Sequence, residues 1–209
     1  MKQFRASSLS KIMGYPEKDV LPEGALTEIT KLASQIVLGW DDDELDFQSV
    51  QKGILCEQDS IDLFNQVFGT DYKKNKERIT TDLITGECDI FDKEKSMVID
   101  LKTSWSKETF PLFLNDGGGK KYEWQLRAYM HLWDVNESVL AYALVDTPVE
   151  LLKPRDDVNK HVVSSIKPEI RLSWVSLKRD AKKEDQMIKR CQKSQMYFME
   201  LLAKKGYQF

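Results

Sequence analysis

Residues 86–104, GECDIFDKEKSMVIDLKTS, constrain this chain more than any other stretch. They read as two strands around a Lys93-Glu94 turn, with Ile90, Ile99 and Leu101 on one face. Asp100 and Lys102 are two apart and share the other face. A turn of two or four residues sets Asp89 across from Val98 or Asp100, on that same face; an odd turn or a bulge would not. The apolar side therefore calls for a covering helix, and the opposite side collects two carboxylates and an ammonium. Carboxylates about 5–7 Å apart repel unless a cation lies between them. A hard divalent cation with oxygen ligands suits that gap. A lysine beside it can hold a water and stabilise charge developing on a phosphate. The alternative is a solvated hairpin face of mixed charges.

Two helical patterns weigh against that alternative. Val50–Phe68 predicts one helix with Val50, Ile54, Ile61, Phe64 and Phe68 on its apolar stripe. The stripe has a gap between Ile54 and Ile61, and Glu57 stands in it. An inward carboxylate needs a partner, because burying it alone is costly. Tyr122–Trp133 predicts a second helix with Tyr122, Leu126, Tyr129 and Trp133 in line, and Gln125 beside them. A short capped helix is expected over Ser7–Gly14 and another over Ala25–Leu38. Strands are expected at Arg78–Thr85, Gly86–Asp92, Ser96–Ser104, Ser138–Val145 and Glu169–Leu177, where Ile170, Leu172 and Trp174 alternate. Leu151–Pro168 reads as loop. Asp180–Lys204 reads as a long helix with Ile188, Cys191, Phe198 and Leu202 inward. The fold class is α/β, a central mixed sheet flanked by helices. One domain over 1–209 is expected, with an entry segment at 1–48, a catalytic core at 50–146 and a C-terminal strand and helix at 169–204.

Composition narrows the function. The 209 residues carry a net charge of −3, which disfavours a broad electrostatic grip on nucleic acid. Two local basic clusters remain: Lys73, Lys74, Lys76 and Arg78, then Lys178, Arg179, Lys182 and Lys183. Asp41-Asp42-Asp43-Glu44 reads as a solvated acidic turn. Cys56, Cys88 and Cys191 form no CxxC pair, so neither a disulfide framework nor a zinc ribbon is expected. No run of about 18 apolar residues and no apolar leader is present, so no membrane association and a cytoplasmic site (host cytoplasm for a viral protein) are expected. Asn115–Lys121 is glycine-rich but lacks the G-x-x-x-x-G-K-[ST] spacing of a phosphate loop.

In chain order stand Glu57 on a helix, Asp89, Asp100-Leu101-Lys102 on a strand, and Gln125-xxx-Tyr129 on the next helix. This order resembles the PD-(D/E)XK nuclease superfamily, in its lambda exonuclease and YqaJ-like viral recombinase branch, RecB-like with a QxxxY helix. RASSLSKIMG is similar to the branch's entry helix, QKGILCEQDSIDLF to its glutamate helix, and WQLRAYMHLW to its QxxxY helix. Cys88 stands where the name-giving proline is usual, and Asp100 where many relatives have glutamate. Glu87 stands where lambda exonuclease has a serine that helps hold a 5′-phosphate.

The resemblance implies a restriction-endonuclease-like core and a DNA exonuclease of phage-type recombination, working 5′-to-3′ from duplex ends. It implies two Mg²⁺ or Mn²⁺ ions, with Asp89 on both, Asp100 and the Leu101 carbonyl on the catalytic one, and Glu57 on the second. It gives Lys102 the attacking water, has Gln125 brace the site or contact DNA together with Tyr129, and places Arg5 and Ser7 near a terminal phosphate. A homotrimer and a single-strand annealing partner are further family expectations. A structure-specific endonuclease on the same core, or an inactive DNA- or protein-binding module, are the alternatives. The intact set Glu57, Asp89, Asp100 and Lys102 argues against the module.

Overall fold

The computed structural model describes residues 3–41, 47–114 and 119–207. Asp42-Asp43-Glu44 of the expected acidic turn, and 115–118 of the glycine-rich loop, lie outside the described residues. The chain begins with β1 (Phe4–Arg5) and a 3₁₀ helix over Ala6–Lys11, where the short helix was expected. Helix α1 (Glu23–Leu38) follows and closes at Gly39, whose φ of 68° is the left-handed conformation glycine tolerates best.

The single helix expected over Val50–Phe68 is two helices, α2 (Gln48–Leu55) and α3 (Glu57–Phe68). They meet at Cys56, whose φ of −103° and ψ of 18° break the helix. Hydrogen bonding continues across the kink, from Cys56 N to the Lys52 carbonyl and from Ser60 N to the Cys56 carbonyl. The stripe changes with it. Ile61 and Phe64 are buried, but Val50, Ile54 and Phe68 are exposed. In α2 the buried position is Lys52, half a turn away from Val50 and Ile54.

The strands form two sheets rather than one. In the first, β3 (Ile84–Gly86) lies between β1, parallel, and β2 (Ile79–Thr80), antiparallel. The strand expected over Arg78–Thr85 is thus a tight hairpin, its turn tied by the Thr81 hydroxyl, which accepts from Leu83 N and Ile84 N. In the second sheet the order is β4-β5-β6-β7: β4 (Ile90–Asp92), β5 (Met97–Thr103), β6 (Glu137–Ala143) and β7 (Leu172–Lys178). β5 and β6 are parallel and the other pairs antiparallel. The strand expected over Gly86–Asp92 is divided between the sheets, and Glu87–Asp89 cross from one to the other. Gly86 permits the crossing. A Cβ there would lie 2.9 Å from both Leu132 Cδ1 and Tyr129 Cε1.

Helix α4 (Glu123–Trp133) fills the junction of the two sheets and is buried almost all round. One core joins it to α1, to Val98 and to the long C-terminal helix α5 (Ala181–Ala203), which Asp180 caps by accepting from Lys182 N and Lys183 N. A second core packs Ile61, Leu63 and Phe64 of α3 on Ile90, Ile99 and Leu101, as the hairpin's apolar face requires. Two details of the late strand differ from expectation. Ile170 falls in a 3₁₀ turn before it, and Trp174 is half-exposed on an edge strand, stacked edge-on against Phe68. Among the described residues, no helix is long and apolar enough to cross a membrane.

Candidate active site

The hairpin register decides the site. Ile90 pairs with Ile99 and Asp92 with Met97, so the turn has four residues, Lys93 to Ser96, and Asp89 continues the ladder towards Asp100. The segment before the hairpin fixes the bend at Cys88–Asp89. Asn75 Nδ2 donates to the Cys88 carbonyl at 3.0 Å, and Asn75 N donates to the Asp89 carbonyl at 2.7 Å. The Asp89 carboxylate then accepts from Leu101 N at 2.6 Å, across the hairpin.

Asp100 is 2% exposed and sits under α4. Gln125 Nε2 donates to Asp100 Oδ1 at 2.8 Å and to the Tyr129 hydroxyl oxygen at 3.0 Å. Asp100 Oδ2 is buried and lies 2.8 Å from Lys102 Nζ as an ion pair. Lys102 is itself 4.9 Å from the centre of the Tyr122 ring, so its ammonium is held between a carboxylate and an aromatic face.

The electrostatics follow from burial and crowding. Burial and then the Asp100 charge push the Asp89 carboxyl up to about 7. Burial alone would lower the Lys102 ammonium, but the Asp100 and Asp89 carboxylates outweigh it, so its pKa is raised and it stays a cation. Burial and Asp100 push the Tyr129 phenol upward, which keeps it neutral. The site is a pair of carboxylates that one lysine does not fully compensate. With two facing carboxylates sharing one ammonium, these residues fit a hard divalent cation.

Asp89 also makes folding stability without metal sensitive to pH. Its folded pKa lies above the unfolded value of 3.8, so its contribution to stability is complete below about pH 4 and is lost as pH rises to about 7. Asp89→Asn is expected to be more stable than wild type without metal, by a margin that widens over that window. Urea midpoints of the two proteins between pH 4 and 8, in chelator, measure it.

Glu57 is placed differently. It opens α3 rather than lying within a helix, half-buried and ion-paired with Lys74. Its charge acts on Asp89, but among the described residues no three acidic, histidine or cysteine side chains are gathered as a metal-holding group. Arg5, Ser7 and Tyr129 come together in a cavity of about 320 Å³ with Arg78, Thr85, Gly86 and Glu87. There Arg78 Nη2 lies 2.9 Å from Glu87 Oε2. Both expected basic clusters are largely paired: Lys73 with Asp71, Arg179 with Glu184 and Asp134, Lys183 with Glu123. The three cysteines are free and buried, and burial raises the pKa of each thiol. Sequence reasoning missed Asn75 as the clamp on Asp89 and Arg78 as the partner of Glu87. Arg78 reads only as part of a basic run, Asn75 carries no reading, and nothing in the sequence signals the contacts of either.

A scan against protein-family models and a search of curated proteins return no match. Solved structures do match. A phage-related exonuclease from Haemophilus somnus 129PT is 30% identical, with a TM-score of 0.91 over 98% of this chain and 96% of that one. An alkaline exonuclease from Laribacter hongkongensis superposes with a TM-score of 0.64 at 13% identity, over 97% of this chain and 89% of that one. The same enzyme in complex with dAMP gives 0.64 at 14% identity, over 97% and 89%. The latter two share the fold. With the carboxylate hairpin packed under a Gln125–Tyr129 helix, and the identity to the first running nearly end to end, the chain belongs to the phage-related exonucleases, the lambda exonuclease and YqaJ-like branch of the PD-(D/E)XK superfamily.

Proposed function

We propose that this protein is a divalent-metal-dependent DNA exonuclease that engages duplex ends and degrades 5′-to-3′, in phage-type recombination. One observation carries the reading: Asp89 and Asp100 face each other, the Asp100 charge acting on Asp89, and a single ammonium, Lys102, stands beside the two carboxylates. Asp89 and Asp100 would hold Mg²⁺ or Mn²⁺, with the Leu101 carbonyl as a further oxygen. Bound there, the ion would acidify a water and offset charge on the reacting phosphate. Glu57, once released from Lys74, would join a second ion.

The chain's own residues do the rest. Gln125 fixes the Asp100 carboxylate from one side and the Tyr129 hydroxyl from the other, so the carboxylate is held in one orientation before substrate arrives. Lys102 carries a full positive charge at neutral pH and faces the same space. It orients the attacking water by hydrogen bonding and stabilises the anion that forms. Tyr129 links this centre to the Arg5–Ser7 cavity, which would take the end of the cut strand. A trimer and an annealing partner are proposed on family grounds alone.

Glu87 decides how strongly a 5′-phosphate is preferred. Its carboxylate opposes an incoming phosphate and also occupies Arg78. Wild type is expected to prefer 5′-phosphorylated over 5′-hydroxyl ends only weakly. Glu87→Ser removes the negative charge and frees Arg78, so the preference should rise roughly tenfold, the rate equivalent of about one hydrogen bond to a charged group. Initial rates on duplexes with each kind of end decide it. Strong phosphate dependence in wild type would show that Glu87 does not have this effect. Labels placed at the 5′ and 3′ termini give the direction: release of 5′-labelled mononucleotide first supports the reading, and 3′-label first contradicts it.

A further inference from the structure

Lys52 is 0% exposed, yet it belongs to no ion pair of the carboxylate site. Its ammonium donates to the carbonyls of Ser104 at 2.8 Å, Trp105 at 3.1 Å and Val145 at 2.8 Å. These carbonyls lie just beyond the C-terminal ends of β5 and β6, where the ladder has one more bond, Ser104 N to the Ala143 carbonyl. A compact ammonium with three donors suits three converging carbonyls; a planar guanidinium does not. Burial lowers its pKa to about 8, the cost of keeping a charge there. Other groups join the same point. The Thr147 hydroxyl donates to the Trp105 carbonyl at 3.0 Å and lies 3.0 Å from His161 Nδ1. Ser60 of α3 and Thr103 of β5 share a hydrogen bond of 2.8 Å.

The geometry has a direct consequence for the site. Lys52 precedes the kink at Cys56 and the first residue of α3, Glu57, while Ser104 and Trp105 directly follow the strand that carries Asp100 and Lys102. We propose that Lys52 is a positioning residue, which by gathering the carbonyls of Ser104, Trp105 and Val145 sets the helix that presents Glu57 against the strand that presents Asp100 and Lys102. Without it, the buried Ser104 and Val145 carbonyls lose their Lys52 donor and separate, with the Trp105 carbonyl left to Thr147, and the two sources of carboxylate move relative to each other. Misplacement of about 1 Å is enough to cost up to 10²-fold in rate. The catalytic part of this assignment rests on the metal-dependent nuclease reading above.

The test compares Lys52→Met with Met187→Ala, a cavity variant of a 0% exposed α5 residue that belongs neither to the carboxylate hairpin nor to the Lys52 carbonyl cluster. Both proteins are used folded, below their melting temperatures. Lys52→Met is expected to lower kcat and weaken Mn²⁺ binding by calorimetry, each by about tenfold to 10²-fold, with KM for DNA nearly unchanged. Met187→Ala is expected to lower the melting temperature while leaving kcat and Mn²⁺ affinity within about twofold. Where Lys52→Met does not fold, Lys52→Gln, which returns two donors, carries the same comparison. Wild-type Mn²⁺ affinity and kcat in the Lys52 variant, or equal losses in Met187→Ala, would overturn the proposal. A wild type that takes up no Mn²⁺ would sink the metal reading instead. Hydrogen exchange then decides the role of Lys52: amides from Leu101 to Trp105 should exchange at least about tenfold faster in the Lys52 variant and not in Met187→Ala.

Discussion

Asp100→Ala is expected to abolish cutting while leaving a folded protein, and Asp89→Ala to do the same. The expected loss is about 10³-fold or more, since several kcal/mol of charge stabilisation disappear with the cation and each 1.36 kcal/mol is a factor of ten. The fold should survive because the hydrogen bonds the carboxylates accept, from Leu101 N to Asp89 and from Gln125 to Asp100, are offset by burial and by the repulsion between the two charges. Asp100 is 2% exposed, and Asp89 is held above its ordinary pKa by burial and by Asp100. Removing one relieves the other. The apo melting temperature of each variant should therefore be at or above that of wild type at pH 7.5, and the stabilisation of wild type by added Mg²⁺ should be absent. Scanning calorimetry with and without the metal, next to a nuclease assay, separates this outcome from simple unfolding. A variant that cuts at the wild-type rate would show that the hairpin is not the site.

Lys102→Ala is the second large effect. The expected loss is roughly 10²-fold or more in kcat, the scale of removing one preorganised electrostatic stabiliser. DNA affinity should change little, because Lys102 is held inward by Asp100 and the Tyr122 ring and is not spread over the surface. The Asp89 carboxyl should titrate higher still, since Lys102 is one of the groups that lower it. Single-turnover rates and DNA binding measured on the same variant separate the two. A loss confined to affinity would make Lys102 an ordinary phosphate contact.

The parts of this fold that were legible in the sequence are those set by local periodicity. The period of two in the hairpin put Asp89, Asp100 and Lys102 on one face and Ile90, Ile99 and Leu101 on the other, and the register agrees. Gln125 was legible because it stands beside the inward stripe of α4, where an amide needs partners, and it has two. Glu57 was singled out by a gap in a stripe, but that gap is a break between helices, and its closest partner is Lys74 rather than a core group. Lys52 was not legible at all. A lysine is almost never fully buried unless paired, and its acceptors come from the ends of two strands distant in sequence. The division into two sheets was hidden for a similar reason. Gly86 to Asp92 alternates like one strand, and the break arises from the close approach of α4 to Gly86.

The central claim is that the Asp89–Asp100 pair cuts DNA from its ends with a bound divalent cation. Incubation of end-labelled linear duplex and closed circular DNA, side by side, with Mg²⁺ and with chelator, tests it most directly. The account predicts that linear duplex is degraded progressively from its termini in Mg²⁺, that closed circles persist, and that chelator stops the reaction. Rapid cutting of closed circles would contradict the end requirement and favour an endonuclease, while undiminished cutting in chelator would contradict the metal site itself.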